Sequence, residues 1–352
     1  MRIGIPRELK PLEGRVGMTP AACAGLVREG HQVFIETGAG LLSGYDDAQY
    51  RAVGVEIVPD HEAAFKSAEL VVKVKEPIAE DLKYLRKDHL LFCYLHLAAE
   101  PDLTKRLCDI GLTAVAFETV EVNGMTPLLA PMSDIAGRLS IQVATHLLHQ
   151  VQGGKGILLG GTAAAKRGKV VVIGAGVAGM GAATVAAGLG AEVTVFDLQR
   201  ERMDAARALG PNVTGLYPHP SDVADAVRQA DIVIGAVYVT GKRAPQVVTA
   251  DMVRAMEKGS VVVDIAIDQG GCIETAKPTT YADPTYVWEG ITHFTVTHMP
   301  GAVPRTSSQA LSAAIAPYAS RLAAGGWESF APLKGGITVQ GGKVVHPALL
   351  KG

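Results

Sequence analysis

The chain has almost no net charge: across 352 residues, 33 lysines and arginines oppose 35 aspartates and glutamates, for a formal −2 at pH 7. Such a balance offers no electrostatic attraction for nucleic acid or an anionic membrane. Cysteine is scarce and scattered. The four, Cys23, Cys93, Cys108 and Cys272, have no CxxC spacing. They predict reduced, mostly buried thiols of a cytoplasmic protein, not a disulfide framework or a metal site. The opening MRIGIPRELK is too charged for a signal peptide. There is no internal repeat and no low-complexity tract. One uncharged run, residues 170–191, is long enough to raise the question of a membrane helix. Its strand-like start and its glycines argue against that reading.

What is present is a globular composition, 48% hydrophobic and 19% charged, in a chain longer than the ~250–300 residues at which single cores stop growing. Two domains are expected. The organising stretch is residues 169–197, KVVVIGAGVAGMGAATVAAGLGAEVTVFD. Four apolar residues, Val170 to Ile173, suit a strand buried on both faces. Gly174, Gly176 and Gly179 follow in G-x-G-x-x-G spacing, then a small-residue helix and a second β-rich run ending in Asp197. In a dinucleotide-binding turn the first glycine permits the tight turn and the second admits a pyrophosphate. The third lets helix and strand pack closely. The helix N-terminus attracts the phosphates. Asp197 stands where an acid accepts hydrogen bonds from ribose hydroxyls and repels a 2′-phosphate.

Elsewhere β and α patterns alternate. Strands are expected at 2–6, 32–36, 70–74, 89–95 and 113–117, with Lys75 and His96 at two of their ends. Thr19-Pro20 predicts a helix start, with Thr as N-cap and Pro at the first helical position. A long helix is expected over 133–150, with Ser133 and Asp134 as caps. Later strands are expected over 231–237, 260–267 and 292–297, with a capped helix over 249–258. The strand over 260–267 runs directly into Asp268, where ligands sit in open α/β sheets. A second long helix starts at Arg305, with a kink expected at Pro317. The segment 337–346 predicts a hairpin joining a sheet of the first half. Two crossings between halves imply a cleft with a hinge.

These stretches resemble a family. GIPRELKPLEGRVGMTP, LVVKVKEP, the LHLA of Leu95 to Ala98, LLAPMSDIAGRLS, VVVIGAGVAG, VDIAIDQGGC, KPTTY and MPGAVPRTSS are similar to alanine dehydrogenases, over nearly the whole chain. The resemblance implies an α/β fold of two Rossmann-like doubly wound domains flanking a cleft. Residues 1–130 plus 305–352 would form the substrate domain, and 131–304 the NAD-binding domain. It implies a cytoplasmic homo-oligomer, often a hexamer. The implied reaction is reversible NAD-linked oxidative deamination of L-alanine to pyruvate and ammonia.

For the site, the resemblance matches Arg15 and Lys75 to substrate carboxylate and carbonyl binding. A guanidinium can hold a carboxylate bidentately and an ammonium adds a point charge. His96, in its Leu-His-Leu-Ala context, is matched to acid/base chemistry, for which imidazole is suited near neutral pH. Asp268 is the second candidate, as a base toward water or as the group orienting the substrate ammonium; their division of labour stays open. Cofactor contacts are implied for Ser133, Gly174, Gly176, Gly179, Asp197, Val239 and His298, and no metal is implied. Glu118 and Tyr94 could support the site residues from behind, but structural roles are expected for both. Two departures from the family stand out. His298 replaces the usual Asn before Met-Pro, which leaves substrate choice open. Residues 161–168 replace a Gly-Val-Pro-Gly loop. Arg200 and Arg202 leave room for NADP, although Asp197 favours NAD. The alternatives are a dehydrogenase of another small 2-amino acid, the NAD-binding subunit of a proton-translocating transhydrogenase, and a non-enzymatic NAD sensor. The sensor would be expected to have lost one of Arg15, Lys75, His96 or Asp268.

Overall fold

Parallel strands need a crossover between them, and the alternating pattern supplies one after nearly every strand. The structure, a computed structural model, describes residues 1–237 and 244–350. The first six strands are β1 (Arg2–Ile5), β2 (Gln32–Glu36), β3 (Glu56–Val58), β4 (Leu70–Val72), β5 (Leu90–Cys93) and β6 (Thr113–Ala116). The next seven are β7 (Lys169–Ile173), β8 (Glu192–Phe196), β9 (Val213–Leu216), β10 (Ile232–Gly235), β11 (Val261–Asp264), β12 (Thr285–Trp288) and β13 (Ile291–Phe294). A last pair, β14 (Ile337–Gln340) and β15 (Lys343–Val344), closes the chain. The molecule divides into one unit of Met1–Met132 with Gly301–Gly352 and another of Ser133–Pro300.

In the first unit the eight strands run in the order β15-β14-β6-β5-β4-β1-β2-β3. The first six are parallel, and β14 adds antiparallel to β6 as the C-terminal hairpin predicts. In the second unit the order is β12-β13-β11-β10-β7-β8-β9. Without β14 and β15 in the first sheet, and without β12 in the second, both sheets follow the doubly wound 3-2-1-4-5-6 order. Chain direction reverses beside the first strand of each, between β1 and β4 and between β7 and β10. In such sheets ligands bind at that switch point, off the carboxyl ends of the strands. The central strands are buried on both faces, as at Val170–Ile173, Ile232–Gly235 and Val261–Asp264, which is why they are continuous Val/Ile runs.

Several boundaries differ from the pattern-based expectation. The helix expected over 133–150 is Ala130–Leu147, so Ser133 and Asp134 lie inside its first turns and are not caps. Asp134 instead pairs with Arg138 one turn on, at 2.9 Å. Thr19 does precede the helix Pro20–Arg28, but its side chain makes no capping bond. The capped helix expected over 249–258 is only Ala250–Arg254, with Thr249 accepting from the Met252 N–H. The strand expected to run into Asp268 stops at Asp264. A tight 3₁₀ turn, Ile265–Gln269, carries Asp268 instead. The expected strand 292–297 is one arm of an antiparallel hairpin, β12–β13, whose first arm has no clear alternation. The helix Pro304–Ala324 runs through Pro317. Cys23, Cys93 and Cys272 are buried free thiols and Cys108 is half-buried. Among the described residues no helix is long and apolar enough to cross a membrane.

Candidate functional site

Arg15 lies in the long loop that leaves β1 at the first unit's switch point. Hydroxyls of the helix Pro304–Ala324 pin that loop: Ser308 Oγ accepts from Val16 N and Ser312 Oγ from Thr19 N, each at 2.9 Å. Ser43 Oγ donates to the Gly14 carbonyl at 2.8 Å. The Arg15 side chain is buried and grips Glu13, donating from Nε at 2.7 Å and from Nη2 at 2.5 Å. Burial opposes both charges, but each outweighs it for the other. Glu13 is held below the ordinary carboxylate range and Arg15 above its own. Nε and Nη2 each give one N–H to Glu13, and Nη1 lies 3.3 Å from Met132 Sδ; of the five N–H donors, the second one on each Nη is what a carboxylate could take.

Lys75 follows β4, on the other side of the same switch point, and is also buried. Its Nζ is 3.2 Å from Glu76 Oε2, and Glu76 in turn pairs with Lys10. Burial pushes the Glu76 carboxyl up, but Lys75, Lys10 and His96 together hold it at about 2. The backbone carrying Lys75 is clamped from below. Glu8 Oε1 accepts from Val74 N at 2.7 Å and Lys75 N at 3.4 Å, while its other oxygen lies 3.3 Å from Lys73 Nζ.

His96 follows β5 in a left-handed conformation, φ 50°, which a non-glycine residue adopts only when its surroundings enforce it. Glu118 does so, accepting from His96 N at 2.6 Å and Leu95 N at 3.1 Å. The imidazole stacks on the Tyr94 ring, centroids 5.9 Å apart and planes 9° off parallel. The Tyr94 hydroxyl is anchored to the Leu128 carbonyl at 2.6 Å. Arg15, Lys75 and His96 thus share one electrostatic cluster: Lys75 acts on Glu13, and both Lys75 and His96 act on Glu76.

The second unit holds the glycine turn. Gly174 has φ 96°, and a Cβ there would strike the Ala236 carbonyl at 2.7 Å. A Cβ on Gly179 would lie 1.7 Å from the Gly174 oxygen, so helix Val177–Gly188 can approach its strand only without one. Around Gly176 there is nothing within 4 Å of a built Cβ. The turn leaves open the space a phosphate would fill, at the N-terminus of that helix. Asp197 is buried just past β8. Its Oδ2 accepts from Ala175 N at 2.7 Å and Oδ1 from Gln199 N at 2.8 Å, leaving a lone pair on each oxygen for a hydroxyl donor. Arg202 lies 3.6 Å from Oδ2.

Asp268 and His298 meet in the same unit. The Asp268 carboxylate is 3.4 Å from His298 N and 3.9 Å from its Nδ1, both side chains about one-third exposed. His298 is also left-handed, φ 61°, a region in which histidine, like asparagine, is found more often than most non-glycine residues. Ser133 is half-buried on the first turns of its helix. Val239 lies outside the described residues. Pattern reasoning passed over Glu13 and Glu76, although each sits within two residues of the cation it serves. It also passed over Glu8 and Asp264, whose partners are backbone amides and leave no sequence spacing to detect. Among the described residues no group of three His, Cys, Asp or Glu is placed to hold a metal ion.

Residues 4–136 match the family model of the alanine dehydrogenase/PNT N-terminal domain, and residues 140–347 match its C-terminal domain. The chain is 46% identical to alanine dehydrogenase of Bacillus subtilis, over 100% of its own length and 94% of that protein. It is 46% identical to that of Halomonas elongata, over 99% and 96%. A solved structure of an L-alanine dehydrogenase superposes with a TM-score of 0.95 at 48% identity, covering 100% of this chain and 98% of that one. The transhydrogenase from Sinorhizobium meliloti superposes at 0.86 with 26% identity, covering 99% and 100%.

Proposed function

Because the chain belongs to the alanine dehydrogenase/PNT family over nearly its whole length, we propose that it catalyses the reversible NAD-dependent oxidative deamination of L-alanine to pyruvate and ammonia. The observation that carries the reading is the first unit's cluster, in which Arg15, Lys75 and His96 are assembled around two buried glutamates. The similarity to alanine dehydrogenases, far higher than that to the transhydrogenase, favours the stand-alone enzyme.

The glycine turn and Asp197 fit a dinucleotide: a phosphate-sized opening at Gly176, a helix N-terminus behind it, and a carboxylate with lone pairs to spare. Gly174, Gly176, Gly179 and Asp197 would hold the cofactor, with Ser133, Val239 and His298 as further contacts. When bound, NAD supplies the acceptor for the hydride leaving the alanine Cα. The Nη end of Arg15 takes the substrate carboxylate, and the Lys75 ammonium faces the oxygen that becomes the pyruvate carbonyl. Loss of the hydride from Cα, together with one proton from the ammonium to a base, leaves iminopyruvate, which water attacks at the imine carbon. A base must remove a proton from that water and an acid must protonate the departing nitrogen. The His96 imidazole and the Asp268 carboxylate are the groups assigned to these two transfers.

Replacing His96 with alanine tests the assignment. A positioned acid/base is worth about 10²–10⁴ in rate, so L-alanine-dependent NAD reduction should fall by that factor while NADH still binds. Undiminished turnover by the variant would remove His96 from the mechanism. Absence of NAD reduction by the unaltered protein with any small L-amino acid would remove the enzymatic reading.

A further inference from the structure

Asp264 is a fully buried carboxylate that the mechanism above does not use. It ends β11, in register with Gly235 of β10. A Cβ on Gly235 would meet Cys272 Sγ at 2.6 Å and Asp264 Oδ1 at 3.1 Å, so that glycine makes the room for both groups. The carboxylate collects four donors. Oδ1 accepts from Ala266 N at 3.0 Å and faces Cys272 Sγ at 3.7 Å. Oδ2 accepts from Cys272 N at 2.8 Å and Ile273 N at 2.9 Å. Ala266 stands at the start of the 3₁₀ turn, and Cys272 and Ile273 follow its end. One side chain therefore ties both ends of the ten-residue segment 264–273, and Asp268 stands between the two ties.

We infer that Asp264 is a positioning residue for Asp268: its two oxygens hold the Ile265–Gln269 turn in the one shape that presents Asp268. The inference rests on the role given to Asp268 above. Backbone bonds hold parts of the segment, Gly270 N to the Ile267 carbonyl at 3.0 Å, Gly271 N to the Ala266 carbonyl at 3.1 Å and Val247 N to the Cys272 carbonyl at 2.9 Å, but Asp264 is the side chain that joins its two ends. Gly270 and Gly271 both have positive φ, 91° and 73°, and glycine there brings conformational freedom that something must remove. Two acceptor oxygens on one rigid stem do so; an amide offers one acceptor and turns a donor toward N–H groups. Burial pushes the Asp264 carboxyl up to about 6 against the pull of the three backbone amides. The fold tolerates that cost at a position it could have filled with an apolar residue.

The test is a double-mutant cycle on the full chain, with D264N, D268N and the pair, reading alanine oxidation and NADH binding. If Asp264 acts through Asp268, D264N lowers kcat tenfold or more with NADH affinity within threefold of wild type. On the D268N background it costs nothing further, because coupled residues are not additive. If D268N is impaired and D264N is either fully active or fully additive with it, the positioning role is overturned and the catalytic reading stands. If D268N is itself fully active, the role of Asp268 fails and this inference with it. Should D264N not fold, G271A replaces it. Its new Cβ would lie 2.9 Å from Asp264 Oδ2, displacing the clamp while leaving the carboxylate in place, and the same coupling to D268N is expected.

Discussion

The two units share a strand order and differ in what they place at the switch point. Even the first hydrogen bond is the same. In the second unit the N–H two residues past β7, that of Ala175, donates to the acid just past β8, Asp197, at 2.7 Å. In the first unit the N–H two residues past β1, that of Arg7, donates to the acid at the end of β2, Glu36, at 2.8 Å. The strands pair in matching register, Ile173 with Phe196 and Ile5 with Ile35. From there they part. After Gly176 the second unit starts a helix at once, exposing free N–H groups and an empty space. The first unit runs through a loop of some fourteen residues, 6–19, before its helix. That loop carries Glu13 and Arg15, while Glu36 is already paired with His61 at 2.7 Å. One topology thus yields a cradle of backbone dipoles in one copy and a cluster of paired side-chain charges in the other. A cradle of the first kind suits a pyrophosphate, and a cluster of the second kind suits a small carboxylate.

Removing the cation from the charged unit should have the largest effect. Arg15→Met leaves Glu13 buried without its partner. Breaking a buried pair costs about 3–5 kcal/mol of stability, read as a lowered melting temperature; loss of the substrate carboxylate's charged donor costs about 1.5–3 kcal/mol more in kcat/KM for alanine, while NADH binding is unchanged. Equal loss of NADH affinity would show that the two chemistries are not separate. Next is Gly179→Ala, whose methyl must displace the Gly174 carbonyl. Overpacking costs about 1–3 kcal/mol, visible as a lowered melting temperature together with weakened NADH binding. Gly176→Ala separates those two readouts. With no atom near the new methyl, the melting temperature should hold, while NADH affinity falls about tenfold, some 1.4 kcal/mol. A variant that binds NADH normally would place the phosphates elsewhere.

For activity, the smallest effect belongs to the ion network of the first unit, which acts on stability through pH. His61 sits between Glu36 at 2.7 Å and Asp81 at 2.8 Å. Arg7 also pairs with Glu36, and Lys73 lies 3.4 Å from Asp81. Burial disfavours the imidazolium, but the two carboxylates overcome this and raise His61 from 6.5 to about 9. The folded state therefore binds that proton more tightly than the unfolded one. Its contribution to stability is fully present below about pH 6.5 and is lost as pH rises through about 9. Denaturant midpoints measured across that window should decline, and His61→Gln should flatten the decline. An equally steep decline in the variant would assign it to another group.

Gly174, Gly176, Gly179 and Asp197 could be found in the sequence because their geometry is local: strand, turn, helix and strand follow without interruption, so spacing encodes shape. The buried Val/Ile runs, the crossover helices and the C-terminal hairpin were legible for the same reason. Arg15, Lys75 and His96 were grouped as a site in the sequence only through the resemblance, since no spacing along the chain states that the ends of β1, β4 and β5 adjoin. That is decided by strand order. Helix Ala130–Leu147 began earlier than its polar residues suggested, because Ser133 and Asp134 can serve a helix interior as well as its cap. Least visible of all were Glu8 and Asp264. A carboxylate that binds backbone amides finds the same partner in any residue type, so no sequence pattern marks it. Which amides it reaches is settled only when the sheet has brought distant loops to one edge.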